Sequence, residues 1–324
     1  MGENSKRILV IGATGQIGSE LTPALREIYG EPNVVAGYHK RKPTGSLLKG
    51  PCVYVDICDG KNIEQVVGEF DIDTIYHLGA ILSAAGERNP QLAWRVNIEG
   101  LYNVLEVARE YNLRVFWPSS IAVFGPKTPK YNTPQDTILC PTTMYGVTKV
   151  AGELLCKYYV DKYGLDVRGV RYPGVISSET LPGGGTTDYA VEMFYAAVKR
   201  EKYTCFVRED TVLPMIYMPD TIKAAITLMN ADRSRLTYMI GYNVAGVSFS
   251  AGELASEIRK YVPDFEVEYK PDFRQKIADS WPKTIDDSVA REEWGWRPEW
   301  NLENMVKDML EKLKRKLLKN RHQL

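Results

Sequence analysis

The run Ile8-Leu9-Val10-Ile11-Gly12-Ala13-Thr14-Gly15-Gln16-Ile17-Gly18 constrains this chain more than any other stretch. Four apolar residues break into three glycines spaced three apart, and apolar residues at Ile17, Leu21, Ala24, Leu25 and Ile28 then follow at helical spacing. The pattern predicts a buried strand, a tight turn and a helix. Glycine has no Cβ, so the backbone can turn sharply and a pyrophosphate can approach the N–H groups and positive dipole end of the helix. A ligand-free glycine turn carries the same local signature. The strand before it and the helix after it are the context that favours a dinucleotide.

The rest of the composition narrows the partners. Lys plus Arg (41) balance Asp plus Glu (41), which argues against nucleic acid or an acidic membrane surface and for a small ligand. Five scattered cysteines (Cys52, Cys58, Cys140, Cys156, Cys205) without a CxxC pair predict reduced, mostly buried thiols. His39, His77 and His322 show no metal-ligand spacing, so no metal is expected. No apolar stretch reaches about 18 residues, and the polar segment before Ile8 is short for a secretory signal, so a soluble protein is expected.

Strand and helix patterns alternate through the first half. Asn33–Gly37 reads as a second strand, and a dinucleotide fold ordinarily places an acid at its end to bind the adenosine ribose of NAD. Here stand Tyr38, His39, Lys40 and Arg41. This basic cluster suits the 2′-phosphate of NADP, or it is a solvated loop before Pro43; cofactor choice stays open at this step. Val53–Ile57 is a third strand, whose Asp56 and Ile57 suit the adenine edge unless Asp56 simply caps the next helix. Thr74–Ala80 is a fourth strand running into Leu78-Gly79-Ala80, a turn of small residues that lets a cofactor pass closely. A long helix over about 90–111 carries Asn97 and Asn103, polar groups of the helix face, with Asn97 also a candidate cofactor contact. Val115–Ser120 is a fifth strand ending in Ser119 and Ser120.

Tyr145-Gly-Val-Thr-Lys149 opens a helix running to about Tyr163. Residues i and i+4 share a helix face, so the Lys149 ammonium can favour the Tyr145 phenolate and make it a general base. The same spacing recurs at Tyr38/Lys42, Tyr158/Lys162 and Tyr195/Lys199; only Tyr145 starts a helix downstream of a strand ending in serines. Asp166–Arg171 is a sixth strand, after which Tyr172 and Val175 can face a nicotinamide. Leu181–Ala190 sets Gly183, Gly184 and Gly185 before Thr186 at a helix start, which suits a carboxylate or is a flexible loop with an ordinary cap. The alternation then weakens. The expected division is a dinucleotide domain over about 1–176 and a smaller lobe over 177–324, some of whose segments return to the sheet. The tail from Leu302, apolar at Met305, Met309, Leu310 and Leu313, reads as a packed surface helix.

Together the glycine run at 12–18, Ser119-Ser120, Tyr145/Lys149 and the downstream lobe resemble the extended short-chain dehydrogenase/reductases. Within them, His77–Glu87, Pro141–Lys149, Pro182–Glu192 and Leu213–Asp220 resemble the short-chain-type L-threonine 3-dehydrogenases. The resemblance implies an α/β Rossmann-type doubly wound parallel sheet with a smaller C-terminal substrate lobe, and oxidation of L-threonine to 2-amino-3-ketobutyrate with NAD. It implies Tyr145 as base, Lys149 as its electrostatic partner and ribose holder, and Ser120, with Ser119, as positioner of the substrate oxygen. Family members often have Thr where Ser120 stands, which keeps a hydroxyl. Cofactor contacts implied are Gly12, Gly15, Gln16, Ile17, Gly18, Asp56, Ile57, Leu78, Gly79, Ala80, Asn97, Tyr172 and Val175. Substrate contacts implied are Ser83, Gly184, Gly185 and Thr186, with Trp281 as a lid or as lobe packing. Family habit favours NAD; Lys40 and Arg41 leave NADP open. Relatives dimerise through helices at about 92–111 and 145–163, and are mitochondrial in eukaryotes and cytoplasmic in bacteria. Two other readings share parts of the pattern. Nucleotide-sugar 4-epimerases or dehydratases usually carry Arg-Tyr-Phe-Asn where this chain reads Arg171-Tyr172-Pro173-Gly174. A dinucleotide-binding protein without turnover would not require Ser120, Tyr145 and Lys149.

Overall fold

The computed structural model describes residues 6–181 and 183–321. The first five residues, the Pro182 end of the glycine-rich segment and His322 lie outside the described residues. Runs such as Ile8–Ile11 are buried along their whole length, as parallel strands covered on both faces are. In chain order the strands are β1 (Ile8–Ile11), β2 (Val34–Tyr38), β3 (Cys52–Tyr54), β4 (Thr74–His77), β5 (Arg114–Phe116), β6 (Ser119–Ser120), β7 (Val167–Arg168), β8 (Val170–Tyr172) and β9 (Gly174–Ile176). Six of them make one sheet in the order β3-β2-β1-β4-β5-β7. β1 pairs in parallel with β2 on one side and β4 on the other, so chain direction of build-up reverses there and a crevice opens beyond Ile11 and His77.

Helices α1 (Gly18–Tyr29), α2 (Gly60–Glu69), α3 (Ser83–Arg88), α4 (Pro90–Trp94), α5 (Gly100–Glu110) and α6 (Met144–Tyr163) follow in turn. One face of the sheet packs Leu9, Ile11 and Ile75 against Ile63 of α2, Leu101 and Leu105 of α5 and Cys156 of α6. The other packs Ile8, Val10 and Tyr76 against Leu21 and Leu25 of α1. Ala224, Leu228, Trp294 and Trp296, from late in the chain, cover that same face.

Two differences from the sequence reading shape the site. The fifth and sixth strands are each broken. Pro118, which lacks an N–H, separates β5 from β6, and Gly169 separates β7 from β8; β6 and β8 then form a second sheet with Tyr242–Asn243. This bend turns Ser119 and Ser120 away from the first sheet. The helix expected over 90–111 is interrupted by a π-helical turn at Arg95–Glu99, one residue too many per turn, which carries Asn97 into the interior.

The later elements are α7 (Tyr189–Lys199), β10 (Tyr203–Cys205), β11 (Val212–Tyr217), α8 (Met218–Asn230), β12 (Tyr242–Asn243), β13 (Val247–Ser250), α9 (Ala251–Arg259), β14 (Val267–Tyr269), α10 (Arg274–Ser280), α11 (Ser288–Trp294) and α12 (Leu302–Arg321). β11 lies between β9, parallel, and β13, antiparallel. Their core joins Phe194, Leu213, Phe249 and Trp281 to Ile121–Phe124, and α12 seals it with Met305, Met309, Leu310 and Leu313, as its pattern predicts. All five cysteines are free thiols; Cys156 and Cys205 are buried, while Cys52, Cys58 and Cys140 are partly exposed, fewer buried than expected.

Candidate active site

The glycine loop is built for close approach. Gly12 has φ +82°, and a Cβ there would lie 3.0 Å from the Gly79 nitrogen across the crevice; one on Gly18 would lie 2.3 Å from the Gly12 carbonyl oxygen. Only glycine serves at either place. Gly15 donates its N–H to Gly12, which closes the turn. Among the described residues the N–H groups of Gln16 and Ile17, at the start of α1, donate to no acceptor of the chain. Free donors and a helix dipole at a loop no side chain can fill form a fitting cradle for a dinucleotide pyrophosphate. The Gln16 side chain bridges from this loop to the Val175 carbonyl (3.2 Å) and Ser177 Oγ (3.4 Å), which ties the cradle to the end of β9. At the opposite end, Asp56 accepts the Cys58 N–H (2.9 Å) and faces His39 Nε2 at 4.0 Å. Buried Ile57 packs under Gly100, where a Cβ would come within 2.9 Å of its side chain.

Beyond the crevice lies a cavity of about 150 Å³. Leu78, Ala80, Gln16, Ile17, Tyr172 and Val175 line its cofactor side. Ser120, Tyr145 and Lys149 line it too, as do Ser83, Gly185, Thr186 and Trp281. Thr143 caps α6 by accepting the Gly146 N–H (3.0 Å), so the helix begins where Tyr145 enters the cavity. Burial pushes the Tyr145 phenol up to about 12, opposed by a hydrogen bond from Ser120. Burial pulls Lys149 down to about 7, against the neighbouring Cys156 and Glu153. Its ammonium donates to the Pro118 carbonyl (2.6 Å) and lies 4.3 Å from the Trp117 ring centre, and 5.6 Å from that of Tyr145. No hydrogen bond joins Lys149 to the Tyr145 hydroxyl in this structure; the two side chains share one cavity. Ser83 Oγ and Thr186 Oγ1, both buried, stand 3.5 Å apart and put two hydroxyls together in the lining of the same cavity.

Several candidate residues have other commitments. Ser119 Oγ donates to Glu153 Oε1 (2.5 Å), whereas Ser120 Oγ accepts the Ala122 N–H (3.2 Å) and is the serine hydroxyl that lies by Tyr145. The Gly184 and Gly185 N–H groups both donate to Asp188 Oδ2 (2.7 and 2.6 Å), so the chain's own carboxylate fills the place expected for the substrate's. Asn97 accepts the Ile81 N–H (2.8 Å) and donates to the Ile81 carbonyl (3.0 Å) and Thr148 Oγ1 (3.0 Å). Its amide clamps Ile81 to Thr148 of α6, with both Nδ2 donors committed. The Tyr172 hydroxyl donates to the Thr221 carbonyl (2.7 Å) and so presents only its ring to the cavity. Trp281 both lines the cavity and packs in the lobe core.

The residues the sequence reading missed are Glu153, Arg171 and Asp188. Glu153 and Arg171 form a buried bidentate pair (2.9 Å for both bonds) behind Ser119. The available signal was that Glu153 lies one turn beyond Lys149 on an otherwise apolar helix face.

The model of the NAD dependent epimerase/dehydratase family matches residues 8–244. The chain belongs to that family. An epimerase/dehydratase of Staphylococcus saprophyticus named as uncharacterized is 49% identical over 313 residues, which is 96% of this chain and 98% of that protein. The X-ray structure of L-threonine dehydrogenase from Clostridium difficile superposes with TM-score 0.94 at 48% identity, covering 97% of this chain and 99% of that one. A monomeric L-threonine 3-dehydrogenase from a metagenome superposes with TM-score 0.92 at 50% identity over 95% and 99% of the two chains. The family is thus the extended short-chain dehydrogenase/reductase type expected from the motifs.

Proposed function

We propose that this chain oxidises L-threonine at its hydroxyl carbon to 2-amino-3-ketobutyrate with NAD. The observation that carries the reading is the cavity that gathers Ser120, Tyr145 and Lys149 with the paired hydroxyls of Ser83 and Thr186. Pro173-Gly174 provides no amide side chain for a sugar nucleotide.

Bound NAD would supply a hydride acceptor at the nicotinamide. The chain's residues do the rest. Ser120 orients the substrate hydroxyl and Tyr145 takes its proton, while charged Lys149 stabilises the resulting phenolate. Ser83 and Thr186 receive the carboxylate end of the amino acid by hydrogen bonding. Gly12, Gly15 and Gly18 with the N–H groups of Gln16 and Ile17 hold the pyrophosphate, and Asp56, Ile57, Leu78, Gly79, Ala80 and Val175 line the path of the cofactor. Among the described residues no three metal-ligating side chains come together, and the scheme uses none.

Incubation with NAD and L-threonine should generate NADH, and UDP-galactose should not be epimerised. Epimerisation without threonine-dependent NADH would replace this reading with the sugar-nucleotide one. Leu92, Trp94, Tyr102, Val147, Leu154 and Tyr158 expose apolar side chains on α4, α5 and α6. This supports pairing of two copies through these helices. Sedimentation at micromolar concentration should show a dimer, and a monomer at all concentrations would reject it. No helix of the described residues is long and apolar enough to cross a membrane.

A further inference from the structure

The segment after β2 is not used by the reading above, and it lies against the cofactor cradle. Arg41 Nη1 donates to the carbonyl of Thr14, inside the glycine loop, at 3.4 Å. A guanidinium has five N–H donors in a planar fork, so most of Arg41 remains open. Among the described residues no carboxylate lies within ion-pair distance of Lys40, Arg41 or Lys42. Beside them opens a cavity of about 500 Å³, into which Thr14, Ser19, Thr44 and Ser46 bring hydroxyls and Arg41 and Lys42 bring charge. Glu20, Glu27 and Glu179 line it as well.

In dinucleotide folds an acid at the end of the second strand binds the ribose 2′-hydroxyl and repels a phosphate there, whereas a nearby arginine accommodates the phosphate. β2 ends at Tyr38, which supplies no charge. The carboxylate that faces this segment is Asp56, two residues past the end of β3. It is engaged by the Cys58 N–H and faced by His39 at 4.0 Å, and the His39 ring lies 5.4 Å from that of Tyr54. The repelling group is missing, and a cation already reaches into the loop that holds the neighbouring pyrophosphate.

We propose that His39–Lys42 receives the 2′-phosphate of a phosphorylated dinucleotide, with Arg41 as its main contact, so that the chain uses NADP as well as NAD. This rests on the reading of the glycine loop as a dinucleotide cradle and is independent of which substrate is oxidised. Arg41 meets the phosphate through charge-assisted bonds, while the adenosine and pyrophosphate contacts are common to both cofactors.

Binding of 2′,5′-ADP and of 5′-AMP to the full-length protein, measured by calorimetry, tests this without turnover. The wild type should bind 2′,5′-ADP the more tightly. Arg41→Ala should weaken 2′,5′-ADP by about 10- to 100-fold, the worth of a hydrogen bond to a charged group, and 5′-AMP by less than about threefold. Tyr38→Asp, which places a carboxylate at the end of β2, should likewise disfavour 2′,5′-ADP and leave 5′-AMP binding intact. Tighter binding of 5′-AMP by the wild type, or equal losses for both ligands in Arg41→Ala, would overturn the proposal. With L-threonine, NADP should support turnover that falls selectively in Arg41→Ala. If threonine reduces neither cofactor while the binding difference stands, the substrate assignment fails and this one survives.

Discussion

Replacing Glu153 by glutamine tests how the catalytic residues are held. Glu153 and Arg171 are each 8% exposed at the side chain. Glu153 accepts two bonds from Arg171 and one from Ser119; Arg171 also reaches the Gln135 carbonyl (3.1 Å) and Asn243 Oδ1 (3.2 Å). One carboxylate thus links α6, which carries Tyr145 and Lys149, to β6, which carries Ser120, and to β8. Glutamine keeps the shape and removes the charge, so the Arg171 guanidinium stays buried without a counterion. Breaking a buried pair in this way costs about 3–5 kcal/mol. At about 2 °C per kcal/mol, the lower end of the range for larger domains, the melting temperature should drop by about 6–10 °C. Urea titration should report the loss directly as a lower midpoint at unchanged slope. Because apolar residues of similar volume often replace such a pair without loss, Glu153→Leu with Arg171→Met should be more stable than either single variant by about 2 kcal/mol. A Glu153→Gln protein within about 1 kcal/mol of wild type would refute the argument.

Other outcomes follow from the same geometry. Tyr145→Phe should lower kcat by about 10²- to 10⁴-fold, the range for a lost general base, with NAD affinity nearly unchanged; appreciable residual turnover would remove Tyr145 from that role. Thr186→Val should raise the KM for threonine by roughly tenfold, the worth of a lost hydrogen bond to a charged group, and leave the KM for NAD in place. An unchanged threonine KM would return Thr186 to packing. Burial holds His77 down at about 3, from an ordinary value of 6.5, and neither ring nitrogen has a partner. The unfolded chain therefore binds a proton that the folded chain refuses between about pH 6.5 and 3, and stability falls as pH falls through that window. His77→Phe should flatten this slope in acid denaturation, and an identical acid limb in both proteins would show that His77 does not set it.

Much of this was legible in the residues because several local rules agree. Gly12, Gly15 and Gly18 signalled their turn by their spacing, and at Gly12 and Gly18 the backbone excludes every other side chain. Tyr145 and Lys149 were identifiable because their helix begins beside a serine-ended strand. What escaped depends on contacts far apart in sequence. Ser119 and Ser120 look equivalent along the chain, yet only the fold brings Glu153, 34 residues on, to the first of them. The glycines of 183–185 promised free N–H groups, and the Asp188 carboxylate folds back to occupy two of them. Asn97 had the pattern of an exposed helix residue until the π turn rotated it inward. The later strands were least legible, since β9, β10, β11, β13 and β14 are short and pair across long separations.

The central claim is that hydrogen leaves the hydroxyl-bearing carbon of threonine as hydride, and L-threonine deuterated at C3 tests it most directly. With NAD, the account predicts that deuterium appears in the reduced cofactor, on one face only, and that kcat/KM falls by a primary isotope effect wherever chemistry limits the rate. Tyr145→Phe should lose this transfer together with turnover. NADH formed without deuterium, or product formed without cofactor reduction, would contradict the account.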